Sequence, residues 1–121
     1  MSAFDHVAEI VPLQIWNGIV GRAVQGDQVT LTLIELDPDS VVPEHAHANE
    51  QVGILLRGSM TFRIGDEQRE LERGGTWCIK AHVLHDVRTG PEGATLIEVF
   101  APPRHDWASL EQLDPVAPPG F

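Results

Sequence analysis

Three histidines and a glutamine carry the chemistry that is most legible in this sequence. His45 and His47 stand two apart within 41–56, a stretch that reads as extended. Alternate residues of a strand share a face, so both imidazoles project to the same side. Gln51 has the same parity and adds an oxygen donor, while its neighbour Glu50 points the other way. A second histidine pair, His82 and His85, comes after the glycine-rich turn at Gly74-Gly75. With 83–87 as a strand, His85 shares the face of Val83 and Val87 whereas His82 does not, so His85 is the better fourth donor. Neutral imidazoles and an amide oxygen suit a divalent transition metal (Zn, Ni, Mn, Fe or Cu) and leave coordination positions open, which catalysis requires. Such donors also leave the ion its full charge, making it a strong Lewis acid toward anionic or enolisable substrates.

A second constellation lies near the end of the chain. Glu98 interrupts the apolar strand 94–100 and shares a face with Leu96 and Phe100. A carboxylate buried there beside a metal is a general acid or base, its pKa raised by desolvation and lowered by the cation. Cys78, between Trp77 and Ile79, reads instead as a small buried hydrophobe without chemistry.

The elements that position these groups are short strands. Eleven glycines and nine prolines in 121 residues imply many turns, and the length suits a single domain spanning 1–121. Residues 1–21 read as short extended pieces. In 28–36, Val29, Leu31 and Leu33 fall on one face and Thr30 and Thr32 on the other, as in a half-buried strand. Met60, Phe62 and Ile64 alternate with polar residues, Gly58 breaks the preceding strand, and Gly65-Asp66 and Gly90-Pro91 with Gly93 mark further turns. Strands recurring this regularly predict an all-β sandwich or closed barrel, with its core at about 28–100. The proline-rich tail, 101–121, carries one or two helical turns at 106–113 and is expected to pack on the barrel or on a second subunit. Its last six or so residues are expected to lack fixed structure.

A net charge of −10 argues against nucleic acid and anionic membranes as partners and favours a small-molecule ligand. The single cysteine and the absence of a leader-like or membrane-spanning apolar run point to the cytoplasm.

The segment Pro43-Glu44-His45-Ala46-His47-Ala48-Asn49-Glu50-Gln51, followed by Leu55-Leu56-Arg57-Gly58, resembles the first motif of the cupin family. In that motif a His-x-His pair precedes a Glu or Gln and then a Gly; here three residues separate His47 from Gln51, and six separate Gln51 from Gly58. Gly74-Gly75 through His85 resembles the second motif, with Gly75-Thr76 for the usual Gly-Asp and Ile79-Lys80 for the usual Ile-Pro. The resemblance implies a cupin double-stranded β-helix, a jelly-roll-like barrel with metal in its mouth, commonly a homodimer. Glu98-Val99-Phe100-Ala101-Pro102-Pro103-Arg104-His105-Asp106 is similar to the Phe-x-Pro-x-Arg-Glu-Asp ending of a cupin subgroup that includes the pectin-degradation proteins which linearise unsaturated uronates. That resemblance implies catalytic roles for Glu98, Phe100 and Arg104, with Glu98 in place of the subgroup's Asp and His105 in place of its Glu. The function implied is a metal-dependent, isomerase- or lyase-like enzyme acting on a small anionic substrate such as a sugar acid. In this reading Glu98 moves a proton and Arg104 holds a carboxylate. The alternatives are a non-catalytic metal- or ligand-binding module, a dioxygenase and a polyketide cyclase, since inward apolar residues such as Phe62 and Phe100 suit an aromatic substrate too.

Elemental analysis of purified protein tests the ligand set. His47→Ala is expected to lose bound metal and Gln51→Ala to retain less of it; undiminished content in both variants rejects the site.

Overall fold

The computed structural model of the chain describes residues 2–121. It is built almost wholly of antiparallel strands: β1 (Leu13–Trp16), β2 (Ile19–Gln25), β3 (Thr30–Leu36), β4 (Val41–His45), β5 (Glu50–Ile64), β6 (Glu67–Leu71), β7 (Thr76–Ile79), β8 (His85–Ala101) and β9 (Glu111–Gln112). Their order in the sheet is β6-β5-β8-β3-β2-β1-β9, with β7 added on β5 and β4 on β8. The sheet starts at Leu13, earlier than the 28–100 core expected from strand spacing, because Gly18 turns β1 back on β2.

Two strands are much longer than the rest, and both run through glycines that read as breaks. β5 continues past Gly58, and β8 passes Gly90-Pro91 and Gly93 without ending. The reason is local. Gly58 (φ +83°) and Gly93 (φ +72°) adopt the left-handed conformation open to glycine, and the β5–β8 ladder shifts register beside them. A Cβ on Gly58 would stand 1.9 Å from the Gly93 carbonyl oxygen, and one on Gly93 would stand 2.4 Å from that of Leu36. Glycine here bends a paired ribbon and lets its backbones touch. The bend wraps the sheet around a core that includes Leu55, Met60, Phe62, Ile79, Leu96 and Phe100.

On β3 the facing is the reverse of what an apolar-inward strand requires. Thr30 and Thr32 are 0% and 1% exposed, while Val29 and Leu31 are 45% and 44% exposed; of the three apolar residues only Leu33 is buried. Inside the barrel the threonines find partners. Thr32 Oγ1 donates to the Glu98 carbonyl at 2.9 Å, and Thr30 Oγ1 accepts from the Arg104 amide at 2.9 Å while donating to Gln25. A buried hydroxyl with partners costs little, so the inner wall tolerates both. Cys78 is likewise corrected: it is exposed on the outer face of β7, since Trp77 and Ile79 on either side turn inward.

The tail packs on its own barrel. A 3-10 turn at His105–Ser109 buries Trp107, with Leu110 and Leu113 half-buried behind it, and β9 pairs with β1. The final residues have fixed partners, contrary to expectation: Arg22 Nη2 donates to the Val116 carbonyl at 2.6 Å, and Pro118 is buried.

Gly58→Ala would force a methyl into a backbone contact at a left-handed position, so it is expected to cost about 3 kcal/mol or more of stability. Urea unfolding checks this; an unchanged midpoint would show that the ribbon does not depend on the close approach.

Candidate metal centre

The end of β4, the start of β5 and the start of β8 meet at one side of the barrel. His45 lies directly opposite His85 in the β4–β8 register, with ring centroids 4.2 Å apart, and His47 follows on the short turn into β5. The three rings are anchored alike, each through Nδ1 to a backbone carbonyl. His45 Nδ1 lies 2.8 Å from the Pro43 carbonyl, His47 Nδ1 2.9 Å from that of Asn49, and His85 Nδ1 2.8 Å from that of Val83. Each carbonyl accepts a hydrogen bond, which assigns the proton to Nδ1 and leaves the Nε2 lone pair free. Ligand atoms from the three residues lie within 4.8 Å of one another. Among the described residues, no other group of histidine, cysteine and carboxylate side chains converges in this way.

The donor set fits a divalent transition ion. His85 Nε2 is buried without any hydrogen-bond partner, an orphaned acceptor that an ion would satisfy. Desolvation lowers the pKa of all three imidazoles, taking His85 down to about 4, and the Arg104 charge acts in the same direction. They are therefore neutral at physiological pH, the form in which imidazole binds metal. Gln51 is buried and places Oε1 3.0 Å from His47 Nε2, while Glu50 faces outward to an ion pair with Lys80 at 3.0 Å. His82 is outside the group; it is exposed, and its amide donates to the His47 carbonyl at 2.8 Å.

Glu98 lies on the inner wall beside these groups and is 6% exposed. Its Oε2 accepts from Gln51 Nε2 and, at 2.8 Å, from Trp77 Nε1. Burial pushes its carboxyl up to about 7, against the pull of these two donors and of Arg104. Arg104 completes the site from the tail. Its guanidinium stacks on Phe100 and Trp107, 4.8 and 5.0 Å from the ring centroids, and two of its nitrogens reach Asp106 at 3.1 and 3.0 Å. His45, Gln51, His85, Glu98, Phe100 and Arg104 line one cavity of about 50 Å³, floored by apolar side chains such as Ile34, Phe62 and Leu96. At that volume it takes in only the reacting end of a ligand, being well below the roughly 300–1,000 Å³ of pockets that enclose a whole one.

The Cupin domain family profile matches residues 32–100. The chain belongs to the cupin family. It is 24% identical over 96 residues to the pectin degradation protein KdgF of Dickeya dadantii (strain 3937), an alignment covering 78% of this chain and 87% of that protein. Among solved structures it is similar to an RmlC-like cupin from Shewanella frigidimarina NCIMB 400, with a TM-score of 0.80 and 22% identity over 88% of this chain and 96% of the other. KdgF from Halomonas sp. is similar too, with a TM-score of 0.79 and 20% identity, covering 88% and 98% of the respective chains. These two likenesses show the cupin fold.

Two participants in this cupin site are absent from the reading of motifs alone, and a third, Asp106, stands in the motif without a role assigned to it. Trp16 packs its ring 4.8 Å from that of His45, Trp77 reaches Glu98, and Asp106 pairs with Arg104. Trp77 has a sequence signal, since it shares β7 parity with inward Ile79. Trp16 has none.

Arg104 holds the Asp106 carboxyl below the usual carboxylate range, chiefly through the hydrogen bonds between them. In Arg104→Gln the Asp106 pKa is expected to rise toward its ordinary value, measurable by NMR titration of the carboxyl carbon. An unchanged value would show that the guanidinium is not engaged by Asp106.

Proposed function

We propose that this cupin is a metal-dependent enzyme acting on a small anionic substrate such as a sugar acid, in an isomerase- or lyase-like reaction. The observation that carries the reading is the convergence of three lone-pair-presenting histidines, two of them lining the cavity, with a buried carboxyl whose pKa burial raises and a fixed guanidinium on the same cavity. The likeness to a protein named for pectin degradation supports a uronate as the substrate class. A divalent ion held by His45, His47, His85 and Gln51 would polarise a substrate oxygen as a Lewis acid.

The remaining work falls to the chain's own side chains. Both hydrogen bonds received by Glu98 end on Oε2, so Oε1 is the oxygen that exchanges a proton with substrate carbon or oxygen. Burial raises this carboxyl toward neutral pH, where it can both give and take a proton, and a bound cation would lower it again. Arg104, kept from swinging by the Phe100 and Trp107 rings, binds the substrate carboxylate, and Phe100 also closes the cavity beside His47, 5.8 Å between ring centroids. The apolar floor favours a second reading in which an aromatic substrate enters and the chemistry is a dioxygenation or a cyclisation. Oxygen consumption by Fe(II)-loaded protein with phenols separates the two.

With metal supplied in excess, Glu98→Gln is expected to slow ring-opening of an unsaturated uronate, followed by NMR, at least about 100-fold. Turnover that survives the substitution rejects the proton-transfer role.

The expected homodimer and cytoplasmic location belong to the same proposal. Val24, Leu31, Val99, Val52 and Cys78 align in register across five strands on the outer face, flanked by exposed Ile54. In a chain of net charge −10, two copies meet most cheaply on a face without charges. Light scattering should report a dimer that Leu31→Asp converts to monomer; a monomeric wild-type protein removes the dimer from the reading. The single cysteine supports the cytoplasm as its place.

A further inference from the structure

Four inner-wall positions stand side by side across the sheet: Thr32 on β3, Glu98 on β8, Gly53 on β5 and Trp77 on β7. Glu98 and Trp77 are thus separated by a whole strand, yet the Trp77 indole bonds to the carboxylate. It crosses because the intervening residue has no side chain. A Cβ on Gly53 would stand 2.5 Å from ring atoms Cε2 and Cζ2 and 2.7 Å from Nε1. Gly53 is not in a left-handed conformation, so space rather than backbone freedom is what glycine provides here.

The carboxylate that Trp77 holds also holds Gln51, two residues before Gly53 on the same inner face of β5. An amide can be turned either way. With Nε2 donating to Glu98, Oε1 must face the histidines, as found beside His47 Nε2. Turned the other way, the amide would set its oxygen against a carboxylate oxygen and its N–H groups against the ligand lone pairs. A carboxylate free to rotate would fix neither arrangement, and the indole N–H is what keeps Oε2 in place.

We propose that Trp77, admitted by Gly53, is a positioning residue of the metal centre: acting through Glu98, it fixes the Gln51 amide with its oxygen toward the ion. This rests on the metal-binding reading above and adds residues on which that reading does not depend.

The test is a titration of chelator-stripped protein with Co(II), followed by visible absorption. Trp77→Phe keeps the ring and removes the N–H donor, and is expected to weaken Co(II) binding about tenfold, the lower end of what outer hydrogen-bond partners contribute. In a Gln51→Ala background the same substitution is expected to have no further effect, because there is no amide left to orient. An equal loss in both backgrounds, or none in either, overturns the proposal. Wild-type protein that takes up no Co(II) overturns the metal reading itself, an outcome distinct from wild-type uptake matched by Trp77→Phe. Should Trp77→Phe fail to fold, hydrogen exchange of the wild-type protein decides. The Trp77 indole N–H is expected to exchange far more slowly than that of a solvent-exposed tryptophan, and free exchange overturns the proposal.

Discussion

Along a straight strand, His85 and Glu98 would lie about 43 Å apart at the usual rise per residue. In this protein both line the same small cavity. The curl of the β5–β8 ribbon is therefore the constraint on which the site depends. It is produced where Gly58 and Gly93 bring two backbones closer than any side chain permits. Because β5 pairs with β8 on both sides of this bend, Gln51 is carried to Phe100 at one end while Ile64 meets His85 at the other. Gln51, His85, Glu98 and Phe100 are thus gathered by one deformation of one strand pair, with β4 supplying His45 and the tail Arg104.

The electrostatics follow from how little water the curl leaves. Desolvation is the largest influence on His45, His47, His85 and Glu98 alike, and it pushes each toward its neutral form. For the histidines this is the form that binds a cation; for Glu98 it is the form that can donate a proton. Arg104 acts on all four, lowering every one of their pKa values, so a single tail residue tunes the whole cluster. Asp106 tempers the positive charge that Arg104 brings to the pocket within a negative surface. An anion entering the cavity meets a guanidinium that already has a carboxylate on one edge.

Parity separated Gln51 from Glu50 and His85 from His82, and the facing found agrees with both distinctions. The single extended stretch expected over 41–56 is instead two strands, β4 and β5, with His47 on the turn between them, so His45, His47 and Gln51 are brought together by that turn and not by alternation along one strand. The barrel class was legible for a similar reason, since turn residues recur at strand spacing. β3 was misread because alternation reveals a period but not which face has partners. The inner wall offered hydroxyl acceptors and donors to Thr30 and Thr32, and the outer wall left Leu31 exposed. Gly58 and Gly93 were misread as ends because a left-handed residue turns a lone chain but only kinks a paired one. Cys78 lies between two apolar residues, but on a strand those neighbours face inward and so turn it outward. The link from Trp77 to Glu98 required the register of three strands, which no single segment contains.

The in-register facing of His45 and His85 has a mechanical consequence. β4 is five residues long and pairs as a strand with β8 alone, with an irregularity between Val42 and His45. An ion shared by these two imidazoles would act as a cross-link between β4 and the barrel, much as a disulfide staples a small domain. Bound metal would then stabilise the fold by mass action as well as serve chemistry. In the metal-free chain β4 would lack that cross-link and keep only its pairing with β8 and its side-chain contacts.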